Sequence, residues 1–471
     1  MGLKKYVGDH KFYRMLWVLL LPLVIQQGVT NFVSLLDNLM VGRLGTAPMS
    51  SVAIANQMVF VFNLMIFGAV SGGSIFGAQY AGVDDHDGAR FVFRFKFWSC
   101  SLLSLAVIAV FLAFGDRLAM IFLDNAENRA LGLDISLLAA DVRRYLSIIC
   151  IGLVPFMAVQ VYSSTLREFG NTFVPMLASV SAILVNLGFN WLLIFGNLGF
   201  PRLGIVGAAI ATVLSRYVEL AVVVLYTHRH AARFRFIRGA YTSFYVPGAL
   251  VRGILLRGLP LMLNETLWSF AITFINGCYA SRGLSAVAAT NITATAWNLF
   301  CVLMFAMGSA ISIIVGRALG SGDRDRAIDL DRKLLAVTLV IHLVLSGVVA
   351  LFARLIPEMY NTEPAVKDMA AKMLLYAGLS LPIHAMAHAS YFTIRSGGRT
   401  GITFLFDCVY SMVFTAPLAY LLCRFTTLDV VAVYAVIQFS DALKAGVGLS
   451  LVASGTWART VIERKQRPAV E

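Results

Sequence analysis

The chain has 471 residues, of which 59% are hydrophobic and only 13% are charged, and its mean hydropathy is +0.79. A soluble globular domain carries about 25% charged residues, so this composition excludes one and indicates a protein embedded in a lipid bilayer. The net charge of +13 would suit a nucleic-acid-binding protein. However, the basic residues follow a membrane topology, and no nucleic-acid partner is predicted.

Twelve apolar stretches follow one another along the chain, each long enough to cross a bilayer core of about 30 Å. The first six predicted spans cover residues 13–42, 50–80, 90–116, 137–166, 172–197 and 204–227. The second six cover residues 251–281, 285–319, 329–354, 368–395, 399–423 and 428–456. We therefore predict an all-α integral membrane fold of two pseudo-symmetric six-helix lobes. The predicted parts are an N-lobe (1–227), a cytoplasmic linker (228–250), a C-lobe (251–460) and a cytoplasmic tail (461–471).

Basic residues are concentrated in alternate loops, and acids occupy the loops between them. The basic residues are Lys4, Lys5, Lys11, Arg14, Arg90, Arg94, Lys96, Arg229, Arg233, Arg235, Arg238, Arg324, Arg326, Arg332, Lys333, Arg459, Arg464, Lys465 and Arg467. The acids are Asp124, Glu127, Asp134, Glu358, Glu363 and Asp368. Because cytoplasmic loops carry the excess of Lys and Arg, we predict a multi-pass protein of the inner (plasma) membrane with both termini in the cytoplasm.

The two halves of the chain repeat each other. Residues 21–23 (Leu-Pro-Leu) match 259–261, and residues 165–172 match 393–400. With six spans each, both halves begin on the same side of the membrane. Internal repeats of this kind are typical of secondary transporters, whose binding site lies near the midplane between the repeats. Pro22 and Pro260 each remove a backbone hydrogen bond, so both are predicted to kink their helices.

Two acids, Asp37 and Glu265, lie within apolar spans, where a charge is costly and usually faces a cavity or a partner. One interpretation is a water-filled cavity with one carboxylate from each half, able to bind a proton, Na⁺ or a cationic solute. The alternative is that each acid lies near a helix end or is neutralised by a neighbour. The side chains predicted to line the cavity are Gln26, Thr30, Asn56, Asn63, Trp268, Asn276, Tyr279, Asn291, Trp297 and Asn298.

Other polar residues recur at helical spacing inside the spans. Asn186 and Asn190 are four residues apart, so their amides could coordinate a cation or form interhelical hydrogen bonds. Asp407 is a third acid, close to the cytoplasmic end of its span. His384 and His388 form a second pair, interpreted as cavity lining because no third metal ligand is in view.

Several kinds of site have no signature in the sequence. The six cysteines lie within or at the ends of apolar stretches without CxxC spacing, so neither disulfides nor a structural zinc site is predicted. No GxxxxGK[ST] loop or hydrolase motif occurs. We therefore predict no cofactor and no enzymatic activity.

The chain resembles the multidrug and toxic compound extrusion (MATE) transporters over nearly its whole length. The stretches that carry the resemblance are residues 21–42, 167–176, 186–196, 201–212 and 395–398. The resemblance implies two lobes that alternate between outward-open and inward-open forms and exchange small organic cations for Na⁺ or H⁺. It also implies an N-lobe cation site at Asp37, Asn186 and Asn190. Glu265 matches the seventh-helix acid of the NorM-like branch.

One position departs from that branch. Where the branch has an aspartate in the tenth helix, this chain has His384, which weakens the case for a C-lobe sodium site. Asp407 is a candidate substitute, and the coupling ion stays open between Na⁺ and H⁺. The alternative function is a flippase for a lipid-linked or polyisoprenoid-linked substrate, from which a more cationic cavity is expected. A channel and a membrane enzyme are less favoured, and a monomer is expected.

Overall fold

A computed structural model describes residues 5–123 and 135–462 of the chain. The described residues are helices joined by short loops, and no strand occurs among them. The predicted acidic loop of Asp124, Glu127 and Asp134 lies outside the described residues. The same is true of Lys4 and of Arg464, Lys465 and Arg467.

Twelve long helices occur in the described residues, which confirms the predicted fold class. The first six are α1 (His10–Gly42), α2 (Thr46–Gly82), α3 (His86–Leu123), α4 (Ile135–Glu168), α5 (Phe173–Phe195) and α6 (Ile205–Arg229). The second six are α7 (Gly248–Ala280), α8 (Leu284–Gly320), α9 (Arg324–Phe352), α10 (Pro364–Ser396), α11 (Thr400–Phe425) and α12 (Val430–Ala453). The longest predicted spans are therefore continuous helices, and a single-turn helix, Leu355–Glu358, follows α9.

Ten of these helices have the length and apolar composition needed to cross a membrane. The two that fall outside this set are α7 and α10. Helix α7 carries Glu265, and α10 carries His384 and His388. Both helices outside this set therefore carry candidate site residues.

Helix α11 is not a regular α-helix over its whole length. Two π turns, Leu405–Val409 and Ser411–Thr415, interrupt it. Pro417 follows the second π turn; it has no N–H to donate to the carbonyl of Val413, and its ring crowds that carbonyl. Wider turns before this proline relieve the crowding, and they place Asp407 inside the first π turn.

The chain forms two compact units. Unit 1 comprises Met1–Val24, Ile75–Asp85 and Gly253–Glu471, and unit 2 comprises Ile25–Ser74 and His86–Arg252. Helices α1, α2 and α7 are each divided between the units at these boundaries. The lobe boundaries predicted from the sequence stay a prediction.

Within unit 1, α2 and α8 approach each other closely at two glycines. A Cβ added to Gly82 would lie 2.1 Å from the backbone oxygen of Arg317, and one added to Gly320 would lie 1.9 Å from that of Gln79. Gln79 is fully buried, and its amide donates to the carbonyls of Ser396 and Arg459. Only glycine permits this backbone contact.

Within unit 2, the segment that connects α6 to α7 packs on the membrane helices. Phe236 and Ile237 are buried, and the guanidinium of Arg94 on α3 donates to the carbonyls of Gly239 (2.6 Å) and Ala240 (2.9 Å). The basic linker predicted from the sequence is therefore an anchored loop in this structure.

Candidate functional site

Asp37, near the end of α1, is held by two amides of α5 in unit 2. Asn190 Nδ2 donates to Asp37 Oδ1 at 2.7 Å. Asn186 and Asn190 are both buried, at 5% and 2% exposure, and lie one helical turn apart on the same face. The structure therefore brings together the three residues predicted to form the N-lobe cation site.

The amide of Asn186 is oriented by the same carboxylate. With its NH₂ toward Asp37, it donates to Asp37 Oδ1 at 2.8 Å and to Oδ2 at 3.1 Å. An ionised carboxylate only accepts hydrogen bonds, so this orientation of the amide satisfies both oxygens of the acid.

A polar network extends from Gln26 on α1 through the rest of unit 2. Gln26 Nε2 donates to Ser179 Oγ at 2.7 Å, and Ser179 Oγ donates to Glu219 Oε1 at 2.7 Å. Arg167 Nη2 donates to Gln26 Oε1 at 3.1 Å, and Arg216 Nη1 pairs with Glu219 Oε2 at 2.9 Å. A buried network is stable only when its members find partners, and this one links a predicted cavity residue, Gln26, to an ion pair on α6.

A second polar cluster lies in unit 1, around Asp407 on α11. Asp407 Oδ2 accepts from Asn264 Nδ2 at 2.8 Å, and Asp407 Oδ1 contacts the ammonium of Lys444 on α12. Asn264 is 2% exposed, so the contacts are shielded from water. Asp407 is thus a paired acid within the apolar helices.

The same cluster continues to His384 through Asp441. Asp441 Oδ2 lies 3.0 Å from His384 Nδ1 and 4.0 Å from Lys444 Nζ. The ring of Trp297 packs edge-on against His384, with centroids 5.1 Å apart. His384 and Asp407, the two candidates for the missing tenth-helix acid, therefore belong to one network joined by Lys444 and Asp441.

Glu265 lies on α7 beside this cluster. It is half-buried, and the charged groups that act on it are Arg395 and Asp407. No hydrogen bond to its side chain occurs among the described residues. Its carboxylate therefore differs from those of Asp407 and Asp441, which both lie against the ammonium of Lys444.

The remaining predicted cavity residues are spread along four helices. Thr30 Oγ1 donates to the Gln26 carbonyl of its own helix at 2.8 Å. Tyr279 is buried in an apolar core cluster, with its ring 5.7 Å from that of Tyr434. The side chains that are exposed or partly exposed are Asn56, Asn63, Trp268, Asn276, Asn291, Trp297 and Asn298. Pro22 and Pro260 lie inside α1 and α7.

Several charged residues of these networks were not predicted from the sequence. Lys444 and Asp441 are three residues apart in apolar α12. Opposite charges at that spacing inside a membrane helix are a sequence pattern that predicts an ion pair. Glu219 and Arg216 show the same pattern in α6. A further pair, Lys96 and Glu168, is buried at 0% and 4% side-chain exposure, and sequence spacing gives no hint of its partnership.

No group of three or more His, Cys, Asp or Glu side chains placed to hold a metal occurs in the described ranges. The polar groups of the two clusters are carboxylates, amides, hydroxyls, the His384 imidazole and ammonium or guanidinium groups. Carboxylates and amides such as those around Asp37 can bind and release a proton or a monovalent cation.

Comparisons with known proteins place the chain among membrane transporters. The MatE family model matches residues 22–192 and 261–421, more than half of the chain. A probable multidrug resistance protein NorM of Thermotoga maritima is 22% identical over 452 residues, covering 95% of this chain and 94% of the relative. The multidrug resistance protein MdtK of Pectobacterium atrosepticum is 25% identical over 418 residues, 87% of each.

The fold has a close counterpart among solved structures. A MOP superfamily transporter from Pyrococcus furiosus superposes with a TM-score of 0.83, covering 98% of this chain and 99% of that one at 21% identity. At that identity the likeness establishes the fold alone.

Proposed function

We propose, since this chain belongs to the MatE family, that it is a secondary transporter exporting small organic molecules, mainly cations, in exchange for Na⁺ or H⁺. The observation that carries the proposal is the Asp37 carboxylate, held by two buried asparagines inside apolar helices. The relatives named as multidrug resistance proteins support the substrate class. The protein acts as a monomer in the plasma membrane, with both termini cytoplasmic and without an enzymatic step.

The proposed mechanism is competition for negative charge. A coupling cation at Asp37 or Glu265 and an organic cation cannot both neutralise the same carboxylates. Binding of the coupling ion from outside releases the organic cation, and binding of the organic cation from inside releases the ion. A ligand shifts a conformational equilibrium only through its different affinities for the two states. The occupancy of the acids therefore selects the outward-open or inward-open form in alternating access.

The geometry around Asp37 supports a site that responds to cation occupancy. Asn190 Nδ2 donates to one carboxylate oxygen at 2.7 Å, and the Asn186 amide donates to both oxygens at 2.8 and 3.1 Å. Hydrogen bonds to the charged form of a carboxylate stabilise that form. In this proposal the two amides hold the unloaded carboxylate of Asp37 ready to receive a cation.

The lipid flippase alternative gains no support from the named relatives, which are drug-resistance proteins. The acids and amides around Asp37 also favour a cationic substrate over an anionic headgroup.

The test is transport in proteoliposomes. Efflux of a fluorescent organic cation is measured under an imposed Na⁺ gradient and, separately, under a pH gradient. We expect transport under one or both gradients, and loss of gradient-driven efflux in Asp37→Asn and in Glu265→Gln, because each variant lacks a carboxylate for which the two cations compete.

Matched controls use the exposed acids Asp116 and Glu358, each in a surface ion pair. Asp116→Asn and Glu358→Gln should transport like the wild type, because exposed pairs contribute little to stability. Normal transport by both Asp37→Asn and Glu265→Gln would refute the competition mechanism. Absence of wild-type transport under both gradients would refute the antiporter.

A further inference from the structure

Lys444 is a buried lysine in the apolar helix α12. Its side chain is 11% exposed, and its ammonium contacts Asp407 Oδ1. Asp441, one turn earlier on the same helix, has its Oδ2 atom 4.0 Å from the same nitrogen. A charge inside a membrane helix is costly unless it is paired. The position of Lys444 is therefore explained by these two acids.

Both acids are also held from their other sides. Asp407 Oδ2 accepts from the 2%-exposed Asn264 at 2.8 Å, and Asp441 Oδ2 lies 3.0 Å from His384 Nδ1. The carboxylates are therefore also held by neighbours on α7 and α10. The ammonium lies in a preformed setting of carboxylate oxygens.

A monovalent cation and a lysine ammonium are stabilised by the same kind of site. Each carries one positive charge and is stabilised by carboxylate and amide oxygens, and the ammonium adds three N–H donors. A second cation brought to Asp407 would meet the charge of Lys444 within a few ångströms, in surroundings that screen charge poorly. The two cations therefore exclude each other.

We propose that the Lys444 ammonium is a tethered cation that fills the carboxylate site of Asp407 and Asp441, so that this site binds no free coupling cation. The inference rests on the proposed ion-coupled transport. It assigns uptake of the coupling ion to the remaining acids, with Asp37 foremost. It also gives a structural role to the histidine at position 384, where the NorM-like branch has an aspartate, because His384 orients Asp441 beside the Lys444 ammonium.

The first test is ligand binding by a chain that lacks the tether. In purified full-length Lys444→Ala, n-butylammonium replaces the missing side chain with the same charge and similar length. We expect millimolar n-butylammonium to raise the Tm of Lys444→Ala by a few degrees, with no such rise in the wild type. The neutral n-butanol should have no effect on either protein. An equal response of the two proteins to the amine, or no response in Lys444→Ala, overturns the proposal.

The second test is transport. We expect Lys444→Ala to lose at least about tenfold in transport rate because the acids are left unpaired, and n-butylammonium to restore most of it. Lys444→Arg should keep most of the rate, since it keeps a tethered charge. The wild type with n-butylammonium measures any competition by the amine as a substrate. Unimpaired transport by Lys444→Ala without amine overturns the proposal.

A failure of the transporter assignment is distinguishable from a failure of this inference. If the wild type transports nothing, the proposed function fails, while the melting shift still decides whether the site takes an ammonium. If Lys444→Ala does not fold, the double variant Lys444→Ala/Asp407→Asn removes the unpaired charge. We expect that double variant to fold and to show no response to n-butylammonium. A response in the double variant overturns the proposal.

Discussion

Asp37 and Asp407 both accept a hydrogen bond from an asparagine side chain, at 2.7 Å from Asn190 and 2.8 Å from Asn264. Their other partners differ. Asp37 meets a second neutral amide, that of Asn186, whereas Asp407 meets the charge of Lys444. An acid among amides can exchange its cation, while an acid against a tethered ammonium cannot do so freely.

Asn190→Ala tests the amide setting of Asp37. Without its donor, Asp37 is less stabilised in the charged form and holds a bound cation more tightly, so we expect the apparent affinity for the coupling ion to rise by roughly tenfold, in a protein that still folds. The ion dependence of efflux measures this change. Asn361→Ala, at an exposed asparagine in the loop before α10, is the control and should leave the ion dependence unchanged. Equal ion dependence in both variants would contradict the assignment.

Lys96→Met tests the buried ion pair of unit 2. Breaking a buried pair by removing one partner costs about 3–5 kcal/mol, so we expect a clear fall in Tm. The double variant Lys96→Met/Glu168→Gln should recover most of it, because no unpaired charge is left. Lys372→Met removes one partner of an exposed pair and should cost about 0–1 kcal/mol. A single variant as stable as the wild type would show that the pair contributes nothing.

At the scale of the helices, the crossing of α2 and α8 in unit 1 depends on two glycines that occupy equivalent positions in the repeat. Gly82 meets the backbone of Arg317, and Gly320 meets the backbone of Gln79. The side-chain oxygen of Gln79, Oε1, accepts a hydrogen bond from the backbone N–H of Val461 at 2.7 Å. The close approach therefore also positions the chain that follows α12.

Gly320→Ala tests that crossing. A Cβ 1.9 Å from a backbone oxygen cannot be accommodated unless the helices move apart. We expect a fall in Tm equivalent to about 1–3 kcal/mol, as for overpacking elsewhere. Gly347→Ala on α9 is the matched control, because no atom lies within 4 Å of its added Cβ. It should leave Tm unchanged or raise it, since alanine favours a helix. The opposite order of the two Tm values would contradict this account.

The helices could be predicted from the sequence, but their side-chain partners could not. The length of each apolar stretch determines a membrane helix, and helical spacing places Asn186 above Asn190. Spacing says nothing about which residue of another helix meets Lys96 or Lys444. Those pairings depend on how helices pack. Asp37, Asn186 and Asn190 lie together as the family resemblance implies. The sequence shows that Lys444 is a charged residue within α12, but it does not show that Asp407 of α11 is its partner.

At the scale of the whole molecule, the alternation of basic and acidic loops predicts the orientation in the membrane. We expect both termini in the cytoplasm. A green fluorescent protein fused to the C-terminus should fluoresce, and alkaline phosphatase fused at the same position should be inactive. The same reporters fused after Leu355–Glu358, in a predicted outer loop, should give the reverse result. An active phosphatase at the C-terminus would invert the proposed topology.

The π turns of α11 have a consequence for how this helix tolerates genetic change. A π turn holds one residue more than an α turn, and each residue of an α-helix advances the chain by about 100°. Deletion of one residue within Ser411–Thr415 would convert that π turn into an ordinary α turn without a change in the length of the helix. The same loss within Leu405–Val409 would turn Asp407 relative to Asn264. Helix α11 thus contains one segment in which packing can absorb a deletion and, beside it, one in which a deletion would separate the acid from its partners.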